Sequence, residues 1–263
     1  MIAGIAQFQQ VMWVVNAAAS VFLLVLLVAR KNNRSYPAFT FYIFVNLLLG
    51  VLLFMVYRQW GFTSRPSWLF AWGLQPLVTC ARGLAVAEVC RHFLSRYPGI
   101  WALAKRMLLG CAGLVLLYSG LAARHTWGLA LSSADRGLEM SIAAVIVVLF
   151  LFARHYDVQI EPTDRSLAIG FCLYSCFRAL NDAVLERYLY DYAAFWSLLG
   201  MLAFFASLTL WSWAVRKARN PAAAKENLLP LGVYQSLAPQ INLQLHLLND
   251  ELCKIWKVEV TRH

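Results

Sequence analysis

The sequence has little charge for its length. Only 14% of its 263 residues are Asp, Glu, Lys or Arg, and 61% are hydrophobic, whereas a soluble domain has about 25% charged and roughly 45–50% apolar residues. The net charge of +10 does not indicate nucleic-acid binding, because the basic residues lie between apolar runs and form neither a stripe nor a known binding motif. The composition therefore predicts a membrane protein, in which cytoplasmic Lys and Arg accumulate for topological reasons.

Lysine and histidine are missing from the places where two classes of membrane protein need them. No lysine occurs between Lys105 and Lys217, so the last apolar segment has no amine to bind retinal as a Schiff base. None of the five histidines lies in the middle of an apolar segment, although a haem or an intramembrane zinc site needs such ligands. We therefore expect no retinal, no metal and no other cofactor.

Paired cysteines and alternating strands are also absent. The six cysteines form no C-x-x-C pair, and although Cys172 and Cys176 share a helix face, no histidine stands near them to complete a metal site. We expect the cysteines to be small buried hydrophobic residues. The lack of polar–apolar alternation argues against an outer-membrane barrel.

Seven segments are long and apolar enough to cross a hydrocarbon core, which takes about 20 helical residues. Each must be helical, because lipid offers no hydrogen-bond partner to a free backbone amide. The predicted spans are residues 8–30, 36–59, 67–94, 105–123, 135–154, 166–188 and 192–216. The expected fold is an all-α, polytopic bundle of seven transmembrane helices over residues 1–216.

The distribution of Lys and Arg predicts the orientation of the bundle. Thirteen basic residues lie in alternate loops and their flanks, against five in the others. The thirteen are Arg30, Lys31, Arg34, Arg91, Arg96, Lys105, Arg106, Arg154, Arg165, Arg216, Lys217, Arg219 and Lys225. We therefore expect the N-terminus outside and the C-terminus inside, in a multi-pass protein of the plasma membrane (a bacterial inner membrane).

A weak internal repeat runs through the predicted helices. Three features recur at a spacing of 124 or 125 residues: the Ala-Arg pairs at 29–30 and 153–154, the prolines at 37 and 162, and the arginines at 91 and 216. Helices one to three would then match helices five to seven, with the fourth as a connector, although arginine at inner helix ends is also expected from topology. Such a 3+1+3 parallel repeat would place a ligand site between its two halves.

The composition changes after the last span. Residues 217–238 are a linker by their Pro, Asn and charge content, and residues 239–263 follow an amphipathic helical pattern. Its apolar face comprises Ile241, Leu245, Leu248, Leu252 and Ile255. This helix would lie on the membrane, dock against its own bundle or bind a protein partner.

Two arginines lie at the middle of predicted spans, Arg82 on the third and Arg178 on the sixth. Insertion scales assign about 2.5–3.5 kcal/mol to an arginine at the bilayer centre, so such a residue normally faces the bundle interior and has a partner. Asp182, four residues after Arg178, could pair with it along the helix. Asp135 and Glu139 lie near the start of the fifth span.

Two interpretations of these polar residues are open. The first is a hydrated cavity in the outer half of the bundle, walled by helices three, five and six; the second is a closed network in which Arg82 and Arg178 pair with Glu139 and Asp182. An open cavity with two guanidinium groups would suit a carboxylate, a phosphate or a zwitterion. The candidate ligand-binding residues are Gln75, Arg82, Glu139, Arg178, Asn181 and Asp182.

These patterns favour a protein that binds a small polar solute, anionic or zwitterionic, and acts as a transporter or a receptor-like sensor. The alternative is a non-catalytic subunit of a larger membrane assembly. Its docking surfaces would be the tail helix and the small residues Gly110, Gly113 and Gly120 of helix four. An intramembrane enzyme that uses the carboxylates for acid–base chemistry is a third hypothesis.

Overall fold

The computed structural model describes residues 2–61, 64–94, 98–122, 127–155, 160–187 and 193–216, together with five residues of the tail. The described residues form seven long helices and contain no strand, which confirms the all-α prediction. The helices are α1 (Ile2–Ala29), α2 (Pro37–Trp60), α3 (Arg65–Phe93), α4 (Pro98–Ala122), α5 (Trp127–His155), α6 (Pro162–Arg187) and α7 (Ala193–Ala214), and a 3-10 turn (Asn32–Arg34) follows α1.

Five of these helices, α1, α2, α3, α5 and α7, are long and apolar enough over their described residues to cross a membrane. The chain is therefore a helical, multi-pass membrane protein. Helices also cover the other two predicted spans, as α4 and α6. α4 and α5 begin at Pro98 and Trp127, earlier than the predicted starts at residues 105 and 135, because a helix continues beyond the apolar stretch that lipid requires.

Six helices form a ring in the order α1, α2, α3, α5, α6, α7 and back to α1. α3 also touches α6 across this ring, and α4 lies outside it, mainly against α5. Large apolar side chains are exposed on the outer faces, for example Val14 and Val25 of α1 and Leu114 and Leu117 of α4. A membrane-spanning bundle turns such faces to lipid.

Polar contacts at one end of the bundle fix the directions of the helices. Asn32 Nδ2 donates to the carbonyl of Val215, 3.0 Å away, and Tyr36 Oη donates to Asp164 Oδ1 at 2.6 Å. His92 Nδ1 lies 3.5 Å from the same carboxylate oxygen. α1, α3 and α7 therefore end where α2 and α6 begin. We call this the Asp164 end of the bundle.

The second helix of each half begins at the same relative position, since α6 begins 125 residues after α2 (162 − 37). Both α2 and α6 begin with a proline, whose missing N–H and fixed φ suit the first position of a helix. The helices α1–α3 and α5–α7 thus have the same order in the ring, and meet at the α3/α5 and α1/α7 contacts.

Glu88 of α3 caps the first turn of α2. Its carboxylate oxygens accept hydrogen bonds from the backbone N–H groups of Ala38, at 3.1 Å, and Phe39, at 2.9 Å. The first N–H groups of a helix have no partner within the helix and carry partial positive charge, so a carboxylate there is stabilising. The acidic residue inside an apolar helix therefore satisfies two backbone donors at the start of α2.

We expect Glu88→Ala to lower the free energy of unfolding by about 2–3 kcal/mol, because two charge-assisted hydrogen bonds to α2 are lost. Arg91→Ala is the matched control, since Arg91 is exposed near the end of the same helix and an exposed substitution changes stability by about 0.5 kcal/mol or less. Unfolding in detergent, followed by circular dichroism, measures both. Equal stabilities of the two variants would contradict the capping role.

Aromatic side chains fill the core between the cap and the middle of the bundle. Phe39, Tyr42, Phe171 and Trp211 are fully buried. The ring centroid of Trp211 lies 5.4 Å from that of Phe39 and 4.8 Å from that of Phe171. We call these four residues the aromatic layer. It joins α2, α6 and α7 near the Asp164 end.

The cysteines are only in part buried as predicted. Cys90 is buried, but Cys80 and Cys176 are exposed, so the prediction of burial is wrong for these two, which lie on outward helix faces.

In the tail, Leu247, Asp250, Glu251, Lys254 and Ile255 are helical, and Ile255 is exposed. The linker 217–238 and the predicted apolar positions Ile241, Leu245, Leu248 and Leu252 are not among the described residues.

Candidate functional site

A cavity of about 490 Å³ lies in the middle of the ring. Its lining residues come from the segments 13–20, 46–53, 75–82, 174–181 and 197–204, which belong to α1, α2, α3, α6 and α7. Each segment lies nine to nineteen residues along its helix from the Asp164 end, which is about 14–28 Å at 1.5 Å per residue. The cavity is therefore at mid-depth, and both halves of the ring contribute to it.

Arg82 of α3 is the most buried charged group that lines the cavity. Its side chain is 1% exposed and forms an ion pair with Glu139 of α5, which is fully buried. The guanidinium carbon also lies over two tyrosine rings, 4.8 Å from the centroid of Tyr174 and 5.7 Å from that of Tyr42. These rings add a cation–π attraction that is larger when water is excluded. The Nε of Arg82 has no hydrogen-bond partner among the described residues.

Arg178 of α6 is the second guanidinium group of the lining. Its Nη2 donates to Asp135 Oδ2 at 2.8 Å, and its Nε lies 4.0 Å from Glu139 Oε1. The side chain is 29% exposed, so it meets the cavity more openly than Arg82 does. Glu139 therefore lies between the two arginines and couples α5 to both α3 and α6.

Asp135 is held by three side chains. Besides Arg178, Thr79 donates its hydroxyl to Oδ1 at 2.6 Å, and Gln75 donates its amide to Oδ2 at 3.1 Å. Carboxylates that accept several hydrogen bonds are stabilised in the ionised form. Gln75 and Thr79 precede Arg82 by about two helical turns and one turn, so all three side chains lie on one face of α3 and contact α5.

Two amide side chains, those of Asn16 and Asn181, also line the cavity. Asn16 of α1 donates its Nδ2 to the carbonyl of Met201 at 3.2 Å, whereas its Oδ1 and the Oδ1 of Asn181 on α6 are buried and accept no hydrogen bond from the described residues. A Cβ at Gly200 would lie 3.8 Å from Asn181 Nδ2. Both amides therefore lie beside the segment of α7 around Gly200 and Met201.

No protein-family model, curated protein or solved structure matches this chain. The function is therefore inferred from the geometry of the cavity.

The cavity differs from the prediction in its position and its walls, since it lies midway along the helices and not in the outer half of the bundle. Helices three, five and six were expected, but no residue of α5 lines it over the described residues, and α1, α2 and α7 do. The reason is that Arg82 fills the space in front of Glu139, so the carboxylates of α5 lie behind the arginines. Of the predicted ligand-binding residues, Gln75, Arg82, Arg178 and Asn181 line the cavity, Glu139 does not, and the side chain of Asp182 lies outside the described residues.

The structure has features of both sequence-based interpretations, the closed network and the open cavity. Arg82 is paired with Glu139, as the closed network requires, and Arg178 is paired with Asp135. A cavity nevertheless lies beside these pairs, and both arginines line it. The arginines are thus held in place by carboxylates on one side and face an open space on the other.

Tyr42 and Tyr174 were missed at the sequence level. Both contact Arg82 through their rings. A tyrosine away from the ends of an apolar helix is a usable signal, because tyrosine in membrane helices concentrates at the interfaces. Tyr174 and Arg178 are also one helical turn apart, which places them on one face.

Proposed function

We propose that this chain is a seven-helix protein of the plasma membrane that binds a small polar solute, anionic or zwitterionic, in the mid-depth cavity, and moves the solute across the membrane or reports its presence. In this proposal all seven helices span the membrane, with the N-terminus outside and the C-terminus inside. A bacterial inner membrane is the proposed location.

The orientation rests on basic residues at the Asp164 end. Seven arginine or lysine side chains are exposed there. They are Arg30, Lys31, Arg34, Arg91, Arg154, Arg165 and Arg216. Because cytoplasmic loops carry an excess of such residues, we assign this end to the cytoplasm.

The observation that carries the binding proposal is the position of Arg82. Arg82, whose side chain is 1% exposed, is one of the residues that line a cavity of about 490 Å³, which is within the range of small-molecule sites. Packing alone does not require a charge at this depth, since small residues and van der Waals contacts hold membrane helices together. The spacing of 125 residues between the prolines that begin α2 and α6 supports a parallel repeat, and repeat transporters bind substrates between their repeats near the midplane.

Closure of the cavity at the Asp164 end supports an alternating-access mechanism. The aromatic layer and the contacts of Tyr36, His92 and Asp164 fill the bundle between the cavity and the Asp164 end. A solute would then enter from the opposite, outer end in this conformation. Release to the cytoplasm would require separation of the helices that the layer joins.

Filling the cavity tests the proposal. Gly200 lines it and has room for a Cβ, so Gly200→Met should place a longer side chain in the solute site. Gly110→Met is the matched control, because Gly110 lies on the exposed face of α4 with open space around it. Both variants are reconstituted in nanodiscs and incubated with an equimolar mixture of amino acids, carboxylates and phosphate esters, and retained compounds are identified by mass spectrometry.

We expect at least one compound to be retained by the parent protein and by Gly110→Met, and at least tenfold less by Gly200→Met. Uptake of that compound into proteoliposomes then distinguishes transport from sensing. Retention of no compound, or equal retention by both variants with both folded, would contradict the proposal.

A second candidate is supported by α4. A Cβ added at Gly110, Gly113 or Gly120 would meet nothing within 4 Å, so within the described residues no helix of the bundle covers them. Small residues allow close approach of another membrane helix, as a docking subunit would need. Purification in a mild detergent, with and without residues after Lys225, tests this alternative: a stoichiometric partner favours it, and a solitary particle opposes it.

A further inference from the structure

The ion pairs described beside the cavity bear on the net charge of the solute. Among the described residues they join two arginines, Arg82 and Arg178, to two carboxylates, Asp135 and Glu139, so these four groups sum to zero. An anion added to these four groups would leave one uncompensated negative charge, and an uncompensated buried charge is strongly destabilising. A solute with no net charge adds no such cost.

The lining of the cavity includes both hydrogen-bond donors and hydrogen-bond acceptors. The guanidinium groups are donors only. The buried oxygens of Asn16 and Asn181 are acceptors without a partner among the described residues, and Asn16 is 9% exposed. A buried polar atom without a partner is destabilising. A solute that both accepts and donates hydrogen bonds would satisfy the guanidinium donors and the amide acceptors.

Arg178 and Asn181 are close enough to contact one small molecule. Asn181 follows Arg178 by three residues on α6, which puts their Cβ atoms about 5–6 Å apart. A solute with its donor and its acceptor attached to the same carbon could therefore reach both side chains. The ammonium and the carboxylate of an α-amino acid are related in this way.

The rest of the lining is largely apolar. Trp13, Phe177 and Phe204 line the cavity, and the indole of Trp13 is fixed by stacking on Phe54, with 4.8 Å between the ring centroids. Pockets of this kind bind the apolar part of a ligand by surface burial and orient it through a few polar groups. The solute should therefore carry an apolar or aromatic group beside its charged groups.

We infer that the solute of this cavity is a zwitterion with an apolar or aromatic side group, of the α-amino-acid type. Its carboxylate binds the guanidinium groups of Arg82 and Arg178, its ammonium group binds the amide oxygens of Asn16 and Asn181, and its side group lies against the aromatic lining. This inference rests on the proposed function, and narrows its solute from an anion or a zwitterion to the zwitterion.

Four probes that share parts of one structure test it on the full-length protein in nanodiscs. L-phenylalanine has both charges and a ring, 3-phenylpropanoate lacks the ammonium, 2-phenylethylamine lacks the carboxylate, and L-alanine lacks the ring. Titration calorimetry should give at least tenfold tighter binding for L-phenylalanine than for each of the others, because each of the others lacks one of the three groups that the proposed site contacts.

A substitution of an amide acceptor tests the role of the ammonium. Asn181→Leu should weaken L-phenylalanine at least tenfold and leave 3-phenylpropanoate unchanged, whereas Asn33→Leu, in the 3-10 turn after α1, should change neither. Binding of 3-phenylpropanoate as tight as that of L-phenylalanine overturns the zwitterion and leaves the cavity proposal standing. If no probe binds but the compound mixture yields a different ligand, the solute class is wrong; if the mixture also yields nothing, the proposed function fails with it.

Discussion

Replacing Glu139 by leucine is expected to lower the free energy of unfolding by about 3–5 kcal/mol, the cost of leaving one member of a buried ion pair without its partner. Arg82 is 1% exposed and Glu139 is fully buried, so water cannot take the place of the lost carboxylate. The tyrosine rings beside Arg82 offer only a partial substitute, since a desolvated cation–π contact is worth about 2 kcal/mol.

The double variant Arg82→Met/Glu139→Leu separates structure from function. Buried ion pairs replaced by apolar residues of similar volume are often neutral or stabilising, so the double variant should regain most of the stability that Glu139→Leu loses. It should nevertheless fail to bind the solute, because the guanidinium group that lines the cavity is gone. If the Arg82–Glu139 pair only stabilised the fold, the double variant would bind the solute as well as the parent protein does.

The measurement is a cycle of four proteins: the parent, the two single variants and the double variant. Unfolding in detergent gives the coupling free energy between the two positions, and solute retention in nanodiscs gives the functional effect. A large coupling together with lost binding in a folded double variant is the expected combination. Recovery of binding in the double variant would remove Arg82 from the site.

Composition was enough to predict the helical membrane class, because lipid leaves a spanning chain few structures other than the helix. The cost of a mid-depth arginine was also enough to single out Arg82 and Arg178. Both line the cavity. These predictions concern what a residue does in lipid, and depend little on which helices are neighbours.

The order of the helices in the ring could not be obtained in this way. Placing α5 in the cavity wall required knowing that Arg82 would stand in front of Glu139, and the sequence does not specify that contact. The partner of Glu88 could not be predicted for the same reason. A carboxylate in an apolar helix needs a partner, but here the partner is the backbone of α2. Every residue except proline has a backbone N–H group, so the sequence does not indicate which one a carboxylate will contact. The sequence shows which residues are charged, whereas the packing of the helices determines which groups they contact.

The second large effect is expected at Gly170, where α6 approaches α7 most closely among the glycines described. A Cβ added at Gly170 would lie 2.2 Å from Nε1 and 2.8 Å from Cδ1 of Trp211. The indole cannot move easily, because it is fully buried and its Nε1 donates to the carbonyl of Leu167 at 3.1 Å. Gly170→Ala should therefore lower the free energy of unfolding by about 3 kcal/mol, from overpacking of about 1–3 kcal/mol and the lost hydrogen bond.

A second substitution identifies the indole as the obstacle. Phenylalanine at position 211 lacks Nε1 and the fused ring, so Gly170→Ala/Trp211→Phe should be more stable than Gly170→Ala alone, although Trp211→Phe alone should destabilise the parent protein. Gly73→Ala is the control for a glycine in a helix with open space around it; there, alanine should be neutral or stabilising by up to about 1 kcal/mol. Thermal unfolding of the four variants in detergent measures these differences. Additive effects of Gly170→Ala and Trp211→Phe on the free energy of unfolding would mean that the destabilisation at Gly170 does not come from the indole. The aromatic layer would then allow α6 and α7 to separate more easily than its packing indicates.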